Sequence, residues 1–466
     1  MPHCRQEADD MTMTKRRTKK YLAARIICSL VLGAYLVGGH SSPVAWGATA
    51  SNASVNVTED STGDASSAWG ADTKAEGYAS TAFGWSTEAS GKFSTAFGGE
   101  TNAIGQEATT FGYATTAKGV ASTAFGALTM AIGDESTAFG DTTEARGENA
   151  TAWGLKAKAY GVNSTSLGYN TVAGGDGATA FGGGAMALGF YSTAWGYYTQ
   201  AGQLLYGSDK KVAYIVDYIE GGTTKYKIVD YNNPETTLKG DFSSYWEAYK
   251  ECDVKDAVQA TAWGAGTKAL AGNATAFGNG SIASGIRSTA FGWFTEASGE
   301  GSTTWGIDSV ASGNGATAWG GYTAGMNQVK GGTASGDAST AFGVETIANT
   351  KGSTAWGDQT LAGKATIGGT EYSGTYATAF GYGTKASGTY ATAFGSLTTA
   401  SGPVATAWGI GTKASGNRST AFGDNTTASG FAATAWGTLA IASGDYSTAF
   451  GSETTASGKA STAFGI

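Results

Sequence analysis

Two histidines, three cysteines and four prolines are all that these 466 residues contain. His3, His40, Cys4 and Cys28 lie within the first fifty residues, which read as an export signal. Lys15-Arg16-Arg17-Thr18-Lys19-Lys20 supplies the basic region, Ile26 to Val37 an apolar run too short to cross a bilayer, and Ala48-Thr49-Ala50 the small residues before a cleavage site. The mature start is placed near Ser51, with Met11 or Met13 as alternative initiators of the leader.

With that leader removed, no histidine remains and the single thiol is Cys252, read as a small apolar residue. A Ser-His-Asp triad, a Cys-His dyad, a histidine-ligated zinc site and an intramolecular disulfide are thereby excluded. No metal or cofactor is implied. The leader's seven basic and three acidic residues leave a mature net charge of about −12, which disfavours nucleic acid and anionic membrane as partners. Glycine, at 74 residues, is abundant without the every-third-residue spacing of collagen, and 41% hydrophobic content argues against disorder.

What the chain does have is a fixed period. Ser80-Thr81-Ala82-Phe83-Gly84 returns every fourteen residues, its aromatic falling at Trp69, Phe83, Phe97, Phe111, Phe125, Phe139 and Trp153. Leu167 takes that place once, Phe181 and Trp195 follow, and the series resumes from Trp263 to Phe464. Such self-similarity marks a solenoid. Counting the aromatic as position zero, Ser, Thr and Ala precede it at −3, −2 and −1; Gly follows at +1, Thr at +4, Ala at +6 and Gly at +8. Two short alternating runs, each closed by glycine, predict two strands and two corners, one coil of a parallel β-solenoid.

A period of two puts Thr81 with Phe83 on one strand face and Ser80 with Ala82 on the other. The large residue is expected inside, opposite Thr87 and Ala89, so that Phe83, Phe97, Phe125, Phe139, Trp153, Phe291, Phe394, Trp408 and Phe422 form a core ladder. The alternative is an exposed ladder able to stack on sugar rings. The inward reading turns position −1 outward, yet it is almost uniformly alanine, with Thr110, Ser166 and Thr304 as exceptions. Ala82, Ala96, Ala124, Ala138, Ala290, Ala393, Ala421 and Ala449 are therefore expected to line the interface of a homo-oligomer.

Ser-Thr-Ala-Phe-Gly followed by Thr-x-Ala-Ser-Gly resembles the YadA-like head repeat of trimeric autotransporter adhesins, over most of residues 65 to 466. The resemblance implies a left-handed β-roll, a homotrimer, outer-membrane display and adhesion to a matrix protein, a glycan or a cell-surface receptor. Membrane attachment would then pass through an anchor not contained in this sequence. The chain departs from that pattern in carrying Phe or Trp where the family has an aliphatic residue. No neck or stalk follows the repeats, and the ending Phe464-Gly465-Ile466 falls in mid-coil, so the natural protein is expected to continue.

The reading divides the chain into a signal peptide (1–50), a polar segment (51–66), repeats (67–203), an insert (204–258) and further repeats (259–466) with short insertions near 324–338 and 363–375. All three insertions are expected to leave from the corner after the second strand. Within the large one, Val212 to Ile219 and Thr224 to Val229 read as a hairpin, and Ser244 onward as a short helix carrying Tyr245, Trp246 and Tyr249. Lys364 to Tyr372 reads as a miniature hairpin. Tyr214, Tyr218, Tyr226 and Tyr231 are candidate ligand contacts. An adhesin head is the function expected; the alternatives are a polysaccharide-degrading solenoid, for which no carboxylate cluster is found, and an ice-binding solenoid built on the threonine columns.

Overall fold

The computed structural model describes residues 59–465, apart from 207–210, 221–222, 231–236, 243–257, 322–329 and 368–369. The expected leader and the expected helix from Ser244 lie outside the described residues. Two parallel sheets of 24 strands each run the length of the repeats. One is built from five-residue strands such as Thr81–Trp85 and Thr95–Gly99. The other consists of strands of two or three residues such as Glu88–Ala89 and Asn102–Ala103. Each strand pairs with its equivalent one coil on, Phe83 with Phe97 and Ala89 with Ala103. Glu59–Ser61 joins the short-strand sheet beside Thr73–Ala75, so the fold begins before the sequence pattern does.

The sidedness of the long strand is the reverse of the one expected. Ala82, Ala96, Ala124, Ala138, Ala290, Ala393, Ala421 and Ala449 are all 0% exposed within a single chain, so they fill the coil and cannot line an axis between chains. Ser80, Thr87 and Ala89 join Ala82 inside. The rings of Phe83, Phe97, Phe139 and Phe291 are half-buried on the outer face. Phe125, Trp153, Phe394, Trp408 and Phe422 stand exposed there. The reason is depth. Two sheets joined by tight corners within fourteen residues approach until methyl and hydroxyl groups touch, and a ring between them would have no room. Alanine at position −1 is required by the interior, and the sister-chain explanation for it falls away.

Glycine also serves a different purpose from corner-making. The left-handed corner positions, −4 and +3, are held mostly by other residues, among them Phe93 (φ 59°), Glu100 (φ 57°), Leu128 (φ 56°) and Asn149 (φ 55°). Each such corner amide donates to the coil before it, as Phe93 N–H does to the Tyr78 carbonyl at 2.8 Å, which offsets the cost of the conformation. Gly84 sits within the long strand at φ 139°, and a Cβ there would collide with the carbonyl of Gly98. Close stacking of successive coils is what demands glycine at +1.

Acidic side chains staple some corners along the rod. Asp134, Asp176 and Asp445 each accept a hydrogen bond from the backbone amide one coil earlier, of Val120, Val162 and Phe431, at 2.8 to 2.9 Å. Asp445→Ala is expected to cost about 1 kcal/mol, read as faster amide exchange at Phe431 with little change in the overall melting temperature.

The insertions leave the register intact. Trp195 pairs with Trp263 across the large one, Trp319 with Phe342 and Trp356 with Phe380 across the smaller ones. In the large insert the hairpin is part of a four-stranded antiparallel sheet, Leu204–Tyr206, Lys211–Glu220, Thr223–Asp230 and Thr237–Phe242. Ala365–Ile367 and Thr370–Tyr372 form the miniature hairpin after a second strand. The middle insertion corrects the common-corner expectation: it precedes Thr333–Ala334, which is itself the second strand and pairs with Val310–Ala311. It therefore leaves from the opposite corner.

Near the exit of the large insert, Tyr160, Val172 and Leu188 occupy outward positions of the short-strand sheet yet are buried. Excising residues 204–257 is expected to leave the solenoid folded, with the parallel-sheet far-ultraviolet dichroism retained, because Trp195 and Trp263 already pair across the insert.

Candidate binding surface

The outer face of the long-strand sheet is a threonine column beside an aromatic one. Thr81 and Thr95 are exposed next to Phe83 and Phe97. Neighbouring phenylalanines stack at the inter-strand spacing: Phe97 on Phe111 at 4.8 Å and 2°, Phe111 on Phe125 at 4.8 Å and 5°. Where tryptophan meets phenylalanine the planes tilt, by 48° between Phe139 and Trp153. Trp195 and Trp263 stack at 4.9 Å and 6° across the large insert. Leu167 interrupts the column and leaves a shallow notch between Trp153 and Phe181. The other threonine column, at +4, is buried, as at Thr87 and Thr101. The exposed threonines thus stand beside rings and form no flat two-column array.

A second set of exposed rings escaped the sequence reading. Tyr197 and Trp293 end their long strands and Tyr198 and Phe294 begin the corner that follows, all four between 52% and 59% exposed. Tyr198 (φ 51°) and Phe294 (φ 53°) hold the left-handed position. Their rings lie back over glycines of the previous coil: a Cβ on Gly184 would fall 2.7 Å from the Tyr198 ring, and one on Gly280 2.6 Å from Phe294. Tyr197 and Tyr198 meet edge to face at 4.3 Å. A hydrogen bond that Tyr197 donates to Tyr198, and the nearby charge of Tyr198, with a smaller contribution from burial, hold the Tyr197 hydroxyl above the usual phenol range. The signal was available in Gly196-Tyr197-Tyr198 and Gly292-Trp293-Phe294, where a turn glycine is followed by two rings.

Of the tyrosines proposed from sequence, Tyr214 and Tyr218 are on the strand Lys211–Glu220 and Tyr226 is on Thr223–Asp230. The register sets Tyr218 opposite Lys225 and Tyr226 opposite Asp217. Tyr231 lies outside the described residues. Among the described residues there is no group of three or more His, Cys, Asp or Glu side chains placed to hold a metal ion. Arg146 and Glu144 pair at 2.9 Å on the short-strand sheet, and Tyr160 donates a hydrogen bond to the same carboxylate.

These features define a parallel β-solenoid with fourteen-residue coils and a repeated exposed face. The YadA head domain repeat matches residues 61–87, 75–101, 103–129, 131–157, 159–185, 283–303, 334–360, 373–398, 400–426, 428–454 and 442–466. Those matches cover more than half of the chain, and the protein belongs to the YadA head-repeat family, whose heads are found in trimeric autotransporter adhesin-like surface proteins. No curated protein matches the chain.

Proposed function

We propose that this chain is the head of an exported cell-surface adhesin that assembles as a homotrimer, with the aromatic ladder turned to the trimer axis and the corners presented to the environment. The observation that carries this reading is the ladder itself. Twenty-four coils at the usual strand spacing make a rod about 115 Å long, with rings exposed or half-buried on its outer face along nearly all of it. An isolated soluble chain rarely shows an apolar patch beyond a few hundred Å². Sister copies of the same register-matched face are the partners that cover it along its length. Adhesion then rests on many weak contacts repeated on three chains.

The test is sedimentation of the exported chain, expected to give a single trimeric species. Phe125→Ser, Phe139→Ser, Phe394→Ser and Phe422→Ser together should yield a folded species of lower mass. A parent protein that sediments as a monomer at all concentrations would remove the assembly from this reading.

A further inference from the structure

We infer that the corner between Tyr197 and Phe294 is a binding slot for an uncharged glycan chain, which stacks its sugar rings on Tyr198 and Phe294. The inference rests on the adhesin reading and names the ligand class for one of its surfaces. Three coils separate the two ring pairs, a distance of about 14 Å along the rod. Between them the corner has almost no side chains: Ala265 and Gly266 form the floor, and a Cβ on Gly266 would meet nothing closer than 4.0 Å. Tyr198 and Phe294 lean on Gly184 and Gly280, with Tyr197 edge-on to the first at 4.3 Å and Trp293 alongside the second at 5.9 Å and 23°, and both rings remain more than half exposed.

A ring fixed on one side by the backbone and a neighbouring ring, and more than half exposed, suits a pyranose. The axial C–H groups of the sugar are apolar and slightly positive, and they meet the negative face of the aromatic quadrupole. Asn279 is exposed on the slot's floor, and the exposed Tyr197 and Tyr198, each with a hydroxyl, stand at its end, so hydroxyl groups along a sugar edge have polar partners. The slot is one corner wide. A protein partner of ordinary affinity needs on the order of 1,200 Å² of buried surface, which this strip does not offer, whereas a single extended sugar chain fits it. The exported chain's net charge near −12, with Asp308 on the next coil, disfavours acidic polysaccharides.

The experiment presents the full chain with neutral hexose and N-acetylhexosamine oligomers of increasing length, with heparin and hyaluronan, and with purified matrix proteins. The parent is compared with Tyr198→Asn/Phe294→Asn. Asparagine already holds the same left-handed corner at Asn170 and Asn425, so the variant keeps its backbone. Tyr446→Asn, which removes a ring from the other corner, is the control. Neutral oligomers are expected to bind the parent and the control, with affinity rising with length until the slot is spanned, and to bind the double variant at least tenfold more weakly. Three outcomes would overturn the inference: no neutral oligomer binds, the double variant binds as well as the parent, or the substitutions abolish capture of an acidic polymer or a protein instead. Attachment of cells bearing the parent and the variant is scored in parallel. Attachment without glycan binding sinks the slot and leaves the adhesin reading standing; glycan binding without attachment does the opposite.

Discussion

Ala393→Phe will unfold the coils around it, while Phe394→Ala, one residue along, will leave them folded. The two positions are adjacent in one strand and face opposite ways, Ala393 fully buried inside the coil and Phe394 on the outer face. A ring forced between Ala379, Ala407 and the facing short strand would displace both sheets, at a cost beyond about 3 kcal/mol. Removing the Phe394 ring forfeits its stack on Phe380, at 4.8 Å and 4°, worth on the order of 1 kcal/mol. Dichroism and limited proteolysis separate the two variants, and sedimentation shows whether the second weakens self-association. The opposite ranking, with phenylalanine tolerated and alanine disruptive, would restore the inward ladder.

Gly126→Ala is expected to be nearly as damaging. At φ 130° the backbone is in a region that residues with a Cβ rarely adopt, and the added methyl would collide with the carbonyl of Gly140 on the next coil. Strain and collision together should cost about 3 kcal/mol or more. Because each coil rests only on its neighbours, the loss should be local: hydrogen exchange accelerates across the coils around Gly126 and Gly140, while distant coils keep their protection. Gly315→Ala supplies the comparison. Its φ is 62° and a Cβ there meets nothing within 4 Å, so about 1 kcal/mol is expected. Equal effects at the two sites would show that coil stacking is not what requires glycine.

The period, the two strands per coil and the antiparallel hairpin beginning near Val212 were legible in the residues. The direction of the faces was not. Alternation separates Thr81 and Phe83 from Ser80 and Ala82 without saying which pair is inside, and the usual rule that large apolar residues are buried gave the wrong sign. The uniform smallness at Ala82 and its equivalents was the better clue, and it pointed to crowding within one coil before crowding between chains. The corner used by the middle insertion was also recoverable, since Thr333-Ala334-Ser335-Gly336 repeats the tail of the second strand at Thr87 to Gly91. Spacing between aromatics alone cannot place an insertion before or after that strand. The rings at Tyr198 and Phe294 were missed because the pattern was read for what recurs, and binding features on a repeat are the places where it varies.

Trp195 and Trp263 stack as immediate neighbours although 67 residues separate them in the chain. Reach and ornament are consequently independent properties of this molecule. A lineage can graft a new module at either edge, or drop one, with the distance from base to tip unaltered, and can extend that distance by duplicating coils while every existing module keeps its place.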